Sequence, residues 1–305
     1  MISTLTFIAM SSVVNLIRLL PLTWVAWLGR TMGGVVYSFD RRHRIRAKEN
    51  LHKIFGGEWD ERKIAEVAKE NFRRLGENYA SAIRTAFMSQ DDLKNHVEVV
   101  GAENFKLDPG AKKPRNRIVV IGHFGNFELY ARVGSWAGLE NSATTYRALK
   151  NRGANRVLES LRHRSDTLFF ERKKDVSRMK NRLREGGLTL GLLSDHYGGG
   201  GGMASRFMGH EASSTAAPVV LAMRYDADMH PAICYRIGLA KWRIEVGKEI
   251  SLRNEAGSRP VEEVTQEIQD ILSKAVRKDP ANWFWVHKRW RPPLRKKGSG
   301  GDRAD

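Results

Sequence analysis

The chain has 305 residues, of which 52 are Lys or Arg and 34 Asp or Glu, giving a formal net charge of +18 at pH 7. With 41% hydrophobic residues and a mean hydropathy of −0.45, it can build one large α/β core but is no polytopic membrane protein. The charge implies an anionic partner (nucleic acid, anionic lipid, phosphorylated glycolipid or acidic carrier protein), and the single cysteine excludes any disulfide within the chain.

Met1 to Ile17 contains no charged residue, and after Arg18 the apolar character resumes from Leu19 to Leu28. That length is at the short limit for crossing a hydrocarbon core of about 30 Å. Residues 1–40 therefore read as a membrane-anchoring or membrane-associated helical segment, the alternative being a buried helical hairpin. No basic stretch precedes the segment, which argues against a signal peptide. Arg41, Arg42, Arg44, Arg46 and Lys48, opposed by Glu49 alone, form a basic cluster that the positive-inside rule assigns to the cytoplasmic side. Next, Ile64, Val67, Ala68, Phe72, Leu75, Tyr79, Ile83 and Ala86 recur at helical spacing and predict a long amphipathic helix. Val97 to Val100 predicts a short strand.

Ile118 to Ile121 are four consecutive β-branched residues and read as a buried strand. The strand delivers His123 and, five positions later, Glu128, an acid/base pair at a strand end. Gly122 and Gly125 suit a sharp turn and close approach to a ligand, and Asn126 suits the N-cap of a helix running from Phe127 towards Gly138. The pair meets only if His123 lies on the turn and reaches across to the helix start, where the carboxylate would orient the imidazole and fix its tautomer. Taken alone, the pattern equally describes a helix-capping histidine and a solvated glutamate.

Residues 151–164 and 175–185 predict helices, the second opened by Asp175 and closed by Gly186-Gly187. Strand candidates at 118–121, 188–193, 232–237 and 242–246 alternate with helices, which predicts an α/β fold with a mixed sheet in a single domain, residues 41–292. Asp195 ends the strand 188–193, where α/β sheets place sites, although a turn-forming Asp would read the same. Gly198 to Gly202 lacks the Lys-Ser/Thr of a phosphate loop and reads as a flexible loop near the site. His210-Glu211 has Ser214 where the second histidine of a zinc-protease motif would stand, and no other spacing suits structural zinc. No metal and no redox cofactor is expected. Cys234, in an apolar strand, reads as a buried structural thiol. A last helix, 261–277, carries Val264, Ile268, Ile271, Leu272 and Ala275 on one stripe. Trp283, Trp285 and Trp290 interleave with Lys288, Arg289 and Arg291, which fits both an interfacial belt and a packed C-terminal segment. Residues 293–305 are polar and Gly-rich and predict a disordered tail.

The HxxxxE motif of His123 and Glu128 within GHFGNFE, Tyr146-Arg147, Leu193-Ser194-Asp195, Phe207-Met208-Gly209 and the run from Trp283 to Trp290 together resemble the lipid A biosynthesis acyltransferases. These form the lauroyl/myristoyl transferase branch of the lysophospholipid acyltransferase superfamily. The resemblance runs from Leu20 to Pro292 and departs at His196, where that family usually has Gln, at Ala148, where Pro is common, and at His210-Glu211.

The resemblance implies an O-acyltransferase that moves a fatty acyl chain from acyl carrier protein to a hydroxyl of a lipid A precursor, at the cytoplasmic face of an inner membrane. In that scheme His123 is the general base and Glu128 its partner. No GxSxG elbow or exposed cysteine offers a covalent nucleophile, so attack is direct within a ternary complex. Backbone amides around Gly122 to Asn126 are natural oxyanion donors. The candidate substrate-binding residues are Gly125, Asn126, Arg147, Asp195 and Arg206, with Arg147 gripping a phosphate or phosphopantetheine and Arg206 the acceptor's phosphates or carboxylates. The basic surface suits an acidic carrier and an anionic glycolipid on a membrane surface. Rival readings are an acyl-CoA donor with another glycolipid or lysophospholipid acceptor, or a non-catalytic basic membrane or nucleic-acid binding protein. The positive charges are spread along the chain with no nucleic-acid module, so nucleic acid is not an expected partner.

Overall fold

The computed structural model describes residues 2–105, 114–134, 139 and 141–291. Four helices open the chain: α1 (Ile2–Ile17), α2 (Leu22–Phe39), α3 (Arg41–Phe55) and α4 (Glu61–Thr85). Aspartates start the last two, Asp40 accepting the His43 N–H at 3.1 Å and Asp60 the Lys63 N–H at 2.7 Å. A short α5 (Gln90–Lys94) leads into β1 (Val97–Val100).

The α/β body follows as β2 (Arg117–Ile121), α6 (Tyr130–Val133), β3 (Ser142–Tyr146), α7 (Arg152–Arg162), β4 (Leu168–Glu171), α8 (Val176–Glu185) and β5 (Thr189–Leu193). Then come a hairpin of β6 (Met203–Phe207) and β7 (His210–Ser214), α9 (Ala217–Arg224), β8 (Asp228–Gly238) and β9 (Lys241–Val246). A small hairpin of β10 (Arg253–Asn254) and β11 (Gly257–Ser258) precedes α10 (Val261–Lys278).

Seven strands form one sheet in the order β1-β9-β8-β2-β5-β3-β4, parallel at every step except β8 against β9, so the sheet is mixed. β2 lies at its centre with every residue buried, which is why its sequence is a continuous apolar run rather than an alternation. Ile118 and Val120 face a core layer shared with α3, α4, α9 and α10; Val119 and Ile121 face the other, shared with α2, α5 and α6. The strands expected at 97–100, 118–121, 188–193, 232–237 and 242–246 are present, as are the helices at 151–164, 175–185 and 261–277 with small end shifts.

One expectation is corrected and one open alternative decided. No described helix is long and apolar enough to cross a membrane, and the N-terminal segment forms the two helices α1 and α2. Downstream of His123 there is a 3₁₀ turn, Phe127–Leu129, before the short α6, and the Asn126 side chain caps nothing; residues 135–138 and the expected tail 293–305 lie outside the described residues. The aromatic C-terminal segment packs inward, with no belt: Trp283 and Trp285 are fully buried, and the Asn50 Nδ2 donates to the carbonyls of Trp285 (2.7 Å) and His287 (2.9 Å). Cys234 is fully buried, and burial pushes its thiol up to about 12, as a structural cysteine would have it.

One carboxylate joins the N-terminal helices to the sheet. Glu77 of α4, with no exposed surface, accepts from Arg236 Nε of β8 at 2.8 Å and from the Ala240 N–H at 3.0 Å, and lies 3.6 Å from Arg30 of α2. Glu77→Ala would leave Arg236 Nε and the Ala240 N–H without their acceptor, and urea unfolding should show a loss of about 3–5 kcal/mol. Breaking the exposed pair Lys94–Asp91 should cost under about 1 kcal/mol by the same measurement.

Candidate active site

The topology brings together two residues far apart in sequence. After β2 the chain crosses to β3 and β4 and returns to lay β5 beside β2, with Ile121 in register with Leu193. His123 and Asp195 each follow that matched pair by two positions, so they stand side by side at the carboxyl ends of adjacent strands, where open α/β sheets form their crevices. His123 Nδ1 is 2.8 Å from Asp195 Oδ1, while the His123 backbone N–H and the Trp283 indole N–H both donate to Oδ2 at 2.8 Å.

Asp195 has no exposed surface. Burial opposes its ionisation, but the neighbouring His123 and His196 and the hydrogen bonds from His123 outweigh it and hold the carboxyl far below the usual carboxylate range. An ionised acceptor at Nδ1 puts the proton there and leaves the Nε2 lone pair as a base.

Two glycines shape the turn. A Cβ on Gly122 would meet the Phe124 ring at 2.6 Å and Asp195 Cγ at 3.2 Å; Gly125, at φ +52°, lies against the Cys234 carbonyl, which its Cβ would meet at 2.7 Å. The C-terminal segment braces the turn from outside, Phe124 bridging Trp283 and the Gly125 N–H donating to Asn282 O at 3.1 Å.

Glu128 is not the partner of His123. Leaving the 3₁₀ turn towards α7, its carboxylate is taken by Arg162 Nη2 at 2.6 Å, so the expected His123–Glu128 pair is replaced by His123–Asp195 and Glu128–Arg162. The Arg162 guanidinium also lies 5.3 Å from the ring centres of Tyr146 and Phe169. Glu128 still lines the same pocket as His123, together with Gly125, Asn126, Tyr79 and Phe284.

The backbone amides expected to hold an oxyanion are partly committed elsewhere, since those of His123, Phe124 and Gly125 donate to Asp195, Gly122 O and Asn282 O. The Asn126 side chain, 1% exposed, carries an amide nitrogen without a hydrogen-bond partner. Arg147 and Arg206 are both exposed and line none of the three cavities described, the Arg206 backbone being held by the Gln266 amide of α10.

Three imidazoles stack in a column, His123 on His196 at 3.6 Å and His196 on His287 at 3.9 Å. Burial lowers His196 to about 3 and His287 to about 4, with Asp195 pulling the other way, so both are neutral at pH 7. Nothing in a single sequence spacing announced this column, or the roles of Arg162 and Trp283; only their proximity in the fold does.

His123, Asp195 and His196 place ligand-type atoms within 4.8 Å of one another. The planes of His123 and His196 are only 5° from parallel, so their in-plane lone pairs do not converge on one ion, and Asp195 is already occupied by three N–H groups. The arrangement suits acid/base work better than a metal.

From the His123 pocket a crevice runs between the sheet and α6, sharing Phe127 and Glu128 with that pocket and lined by Val119, Ile121, Val133, Phe169 and Gly191 among others. It is a slit of about 90 Å³ open volume whose 25 lining residues are mostly apolar.

No curated protein matches the chain. The family model described as bacterial lipid A biosynthesis acyltransferase matches residues 1–292, the whole of the sheet, the His123 pocket and the apolar slit included. The chain therefore belongs to the bacterial lipid A biosynthesis acyltransferase family.

Proposed function

We propose that this acyltransferase moves a fatty acyl chain from acyl carrier protein to a hydroxyl of a lipid A precursor, by direct attack in a ternary complex. The observation that carries this reading is the His123–Asp195 pair, with His123 in a pocket that shares Phe127 and Glu128 with the slit. His123 Nε2 takes the hydroxyl proton as the oxygen attacks the thioester carbonyl, Asp195 stabilises the imidazolium, and the same proton leaves with the thiol when the tetrahedral intermediate collapses. Asn126 Nδ2 supports the oxyanion from the pocket wall. Glu128 acts through Arg162 and holds the junction of pocket and slit, where the thioester would lie. The exposed Arg147 and Arg206 are assigned to anionic groups of the carrier or the glycolipid.

The N-terminal helices support action at a membrane surface. α1 has no buried residue, and α2 exposes Trp24 (66%), Trp27 (56%) and Phe39 (83%) just before the basic α3. An apolar face with indoles next to a run of arginines suits the cytoplasmic face of an inner membrane, lying on the bilayer rather than through it.

The test is transfer of labelled acyl chain from acyl carrier protein to a lipid A precursor in detergent micelles. His123→Ala should lose about 10²–10⁴-fold in turnover with the fold retained; undiminished turnover would sink the base assignment, and transfer only from acyl-CoA would replace the donor. The slit makes a second prediction. Gly191 leaves room in its floor, since an added Cβ meets nothing nearer than Ile121 Cδ1 at 3.5 Å. Gly191→Leu should block that depth and shift the kcat/KM ratio between long and short acyl donors about tenfold towards the short, measured in competition.

A further inference from the structure

A second apolar cavity, of about 470 Å³, lies outside the sheet between α2 and α4 and is used by nothing in the reaction described so far. Its origin is in the sequence. Gly29 and Gly33 of α2 meet Gly76 of α4 backbone to backbone: a Cβ on Gly33 would lie 2.2 Å from Phe72 O, and one on Gly76 2.1 Å from Gly29 O. Helices this close leave no side chains to fill the space along their seam. The groove beside it is walled by Leu28, Met32 and Val36 of α2 and Leu75 and Tyr79 of α4.

Three features specify the occupant. Leu75, Tyr79 and Phe284 line both this groove and the His123 pocket, so the two spaces are neighbours with these side chains at their border. The outer wall is itself exposed, Met32 at 58% and Val36 at 43%, and continues into the apolar face of Trp24 and Trp27, so a chain can enter sideways from a bilayer without crossing water. At the far end the groove is lined by Asp40, whose carboxylate is paired with His43 at 2.6 Å, and just beyond it the exposed Arg41 and Arg42, outnumbering that carboxylate, begin the basic α3. A volume in the range of about 300–1,000 Å³ suits a small-molecule ligand or one lipid chain. The ligand is then apolar in the middle, anionic at the basic end and reactive at the His123 end.

We infer that the α2–α4 groove binds an acyl chain already attached to the acceptor glycolipid, while the slit beneath α6 takes the chain being transferred. This rests on the acyltransfer reading above. Donor and acceptor hydrocarbon then approach His123 from two separate cavities, and the acceptor's phosphate is neutralised by α3.

The experiment uses the full chain with a lipid A precursor carrying a photoreactive diazirine in one attached chain, in phospholipid vesicles. Crosslinks mapped by mass spectrometry should fall on α2 and α4. Met32→Trp, which fills the groove, should lose these crosslinks and raise the acceptor KM at least tenfold, with the donor KM changed less than twofold and vesicle co-sedimentation retained. Val220→Trp, on the distant α9, should match the wild type in all of these. Crosslinks confined to the slit, or an acceptor KM for Met32→Trp equal to that of the wild type, would overturn the groove assignment while leaving the acyltransfer reading intact. Wild-type protein that crosslinks through α2 and α4 but transfers no chain from any donor would support the groove and overturn the acyltransfer reading.

Discussion

Asp195→Asn should lower turnover by about 10²–10⁴-fold with little change in the fold. The amide keeps the shape of the carboxylate but not its charge, so the imidazolium formed during attack loses its buried counter-ion. It also changes the hydrogen-bond pattern, because two N–H groups converge on Oδ2 and a third nitrogen lies against Oδ1, and an amide nitrogen cannot accept from any of them. An amide N–H turned towards Nδ1 would favour the other tautomer of His123, with the proton on Nε2, where a base must have none. The KM for either substrate should change little, since Asp195 is fully buried and touches neither cavity wall. An unchanged near-ultraviolet circular dichroism spectrum would show that the aromatic cluster around the site still folds. Turnover within threefold of wild type would remove Asp195 from the mechanism and return the question of what orients His123 to the rest of the pocket.

What could be read from the sequence was whatever is local. The run Ile118 to Ile121, the stripe of α4 and the stripe of α10 each carry their own periodicity, and each became the predicted element. β3 and β4 escaped because Ser142–Tyr146 is short and largely polar and Leu168–Glu171 is only four residues long, and neighbours complete both with ladder bonds. The error over Glu128 has the same root. Five positions separate it from His123, but the strand order brings Asp195 nearer than the sequence does, and α7 brings Arg162 to Glu128 across 34 positions. Arg289 shows the limit of charge as a guide: it is fully buried, donating to Ser213 O, Ser214 Oγ and Gln269 Oε1, while its pattern in sequence is that of a surface arginine.

The imidazole column should make the protein acid-labile well above the range in which carboxylates titrate. His196 and His287 titrate near 6.5 when unfolded but at about 3 and about 4 when folded, burial being the main cause in each. Between those values the unfolded chain binds more protons than the native one, so stability rises with pH in that window. It is complete above about pH 6.5 and falls as the pH drops towards 4, by up to about 1.4 kcal/mol per unit for each histidine. Asp195 does not contribute there: its depressed carboxyl stabilises the fold above its unfolded value and loses that effect only in stronger acid. Urea unfolding at pH 7.5 and pH 5 should therefore differ by about 4 kcal/mol. His210 and His230 are lowered as well and add to the wild-type slope, so the decisive comparison is with His196→Gln. Removing the middle ring deletes one titrating group and should shrink the difference by about 2 kcal/mol. Equal pH dependence in wild type and His196→Gln would mean that the column opens to water before it takes up protons, and the neutral stack would no longer explain how His123 is kept in place.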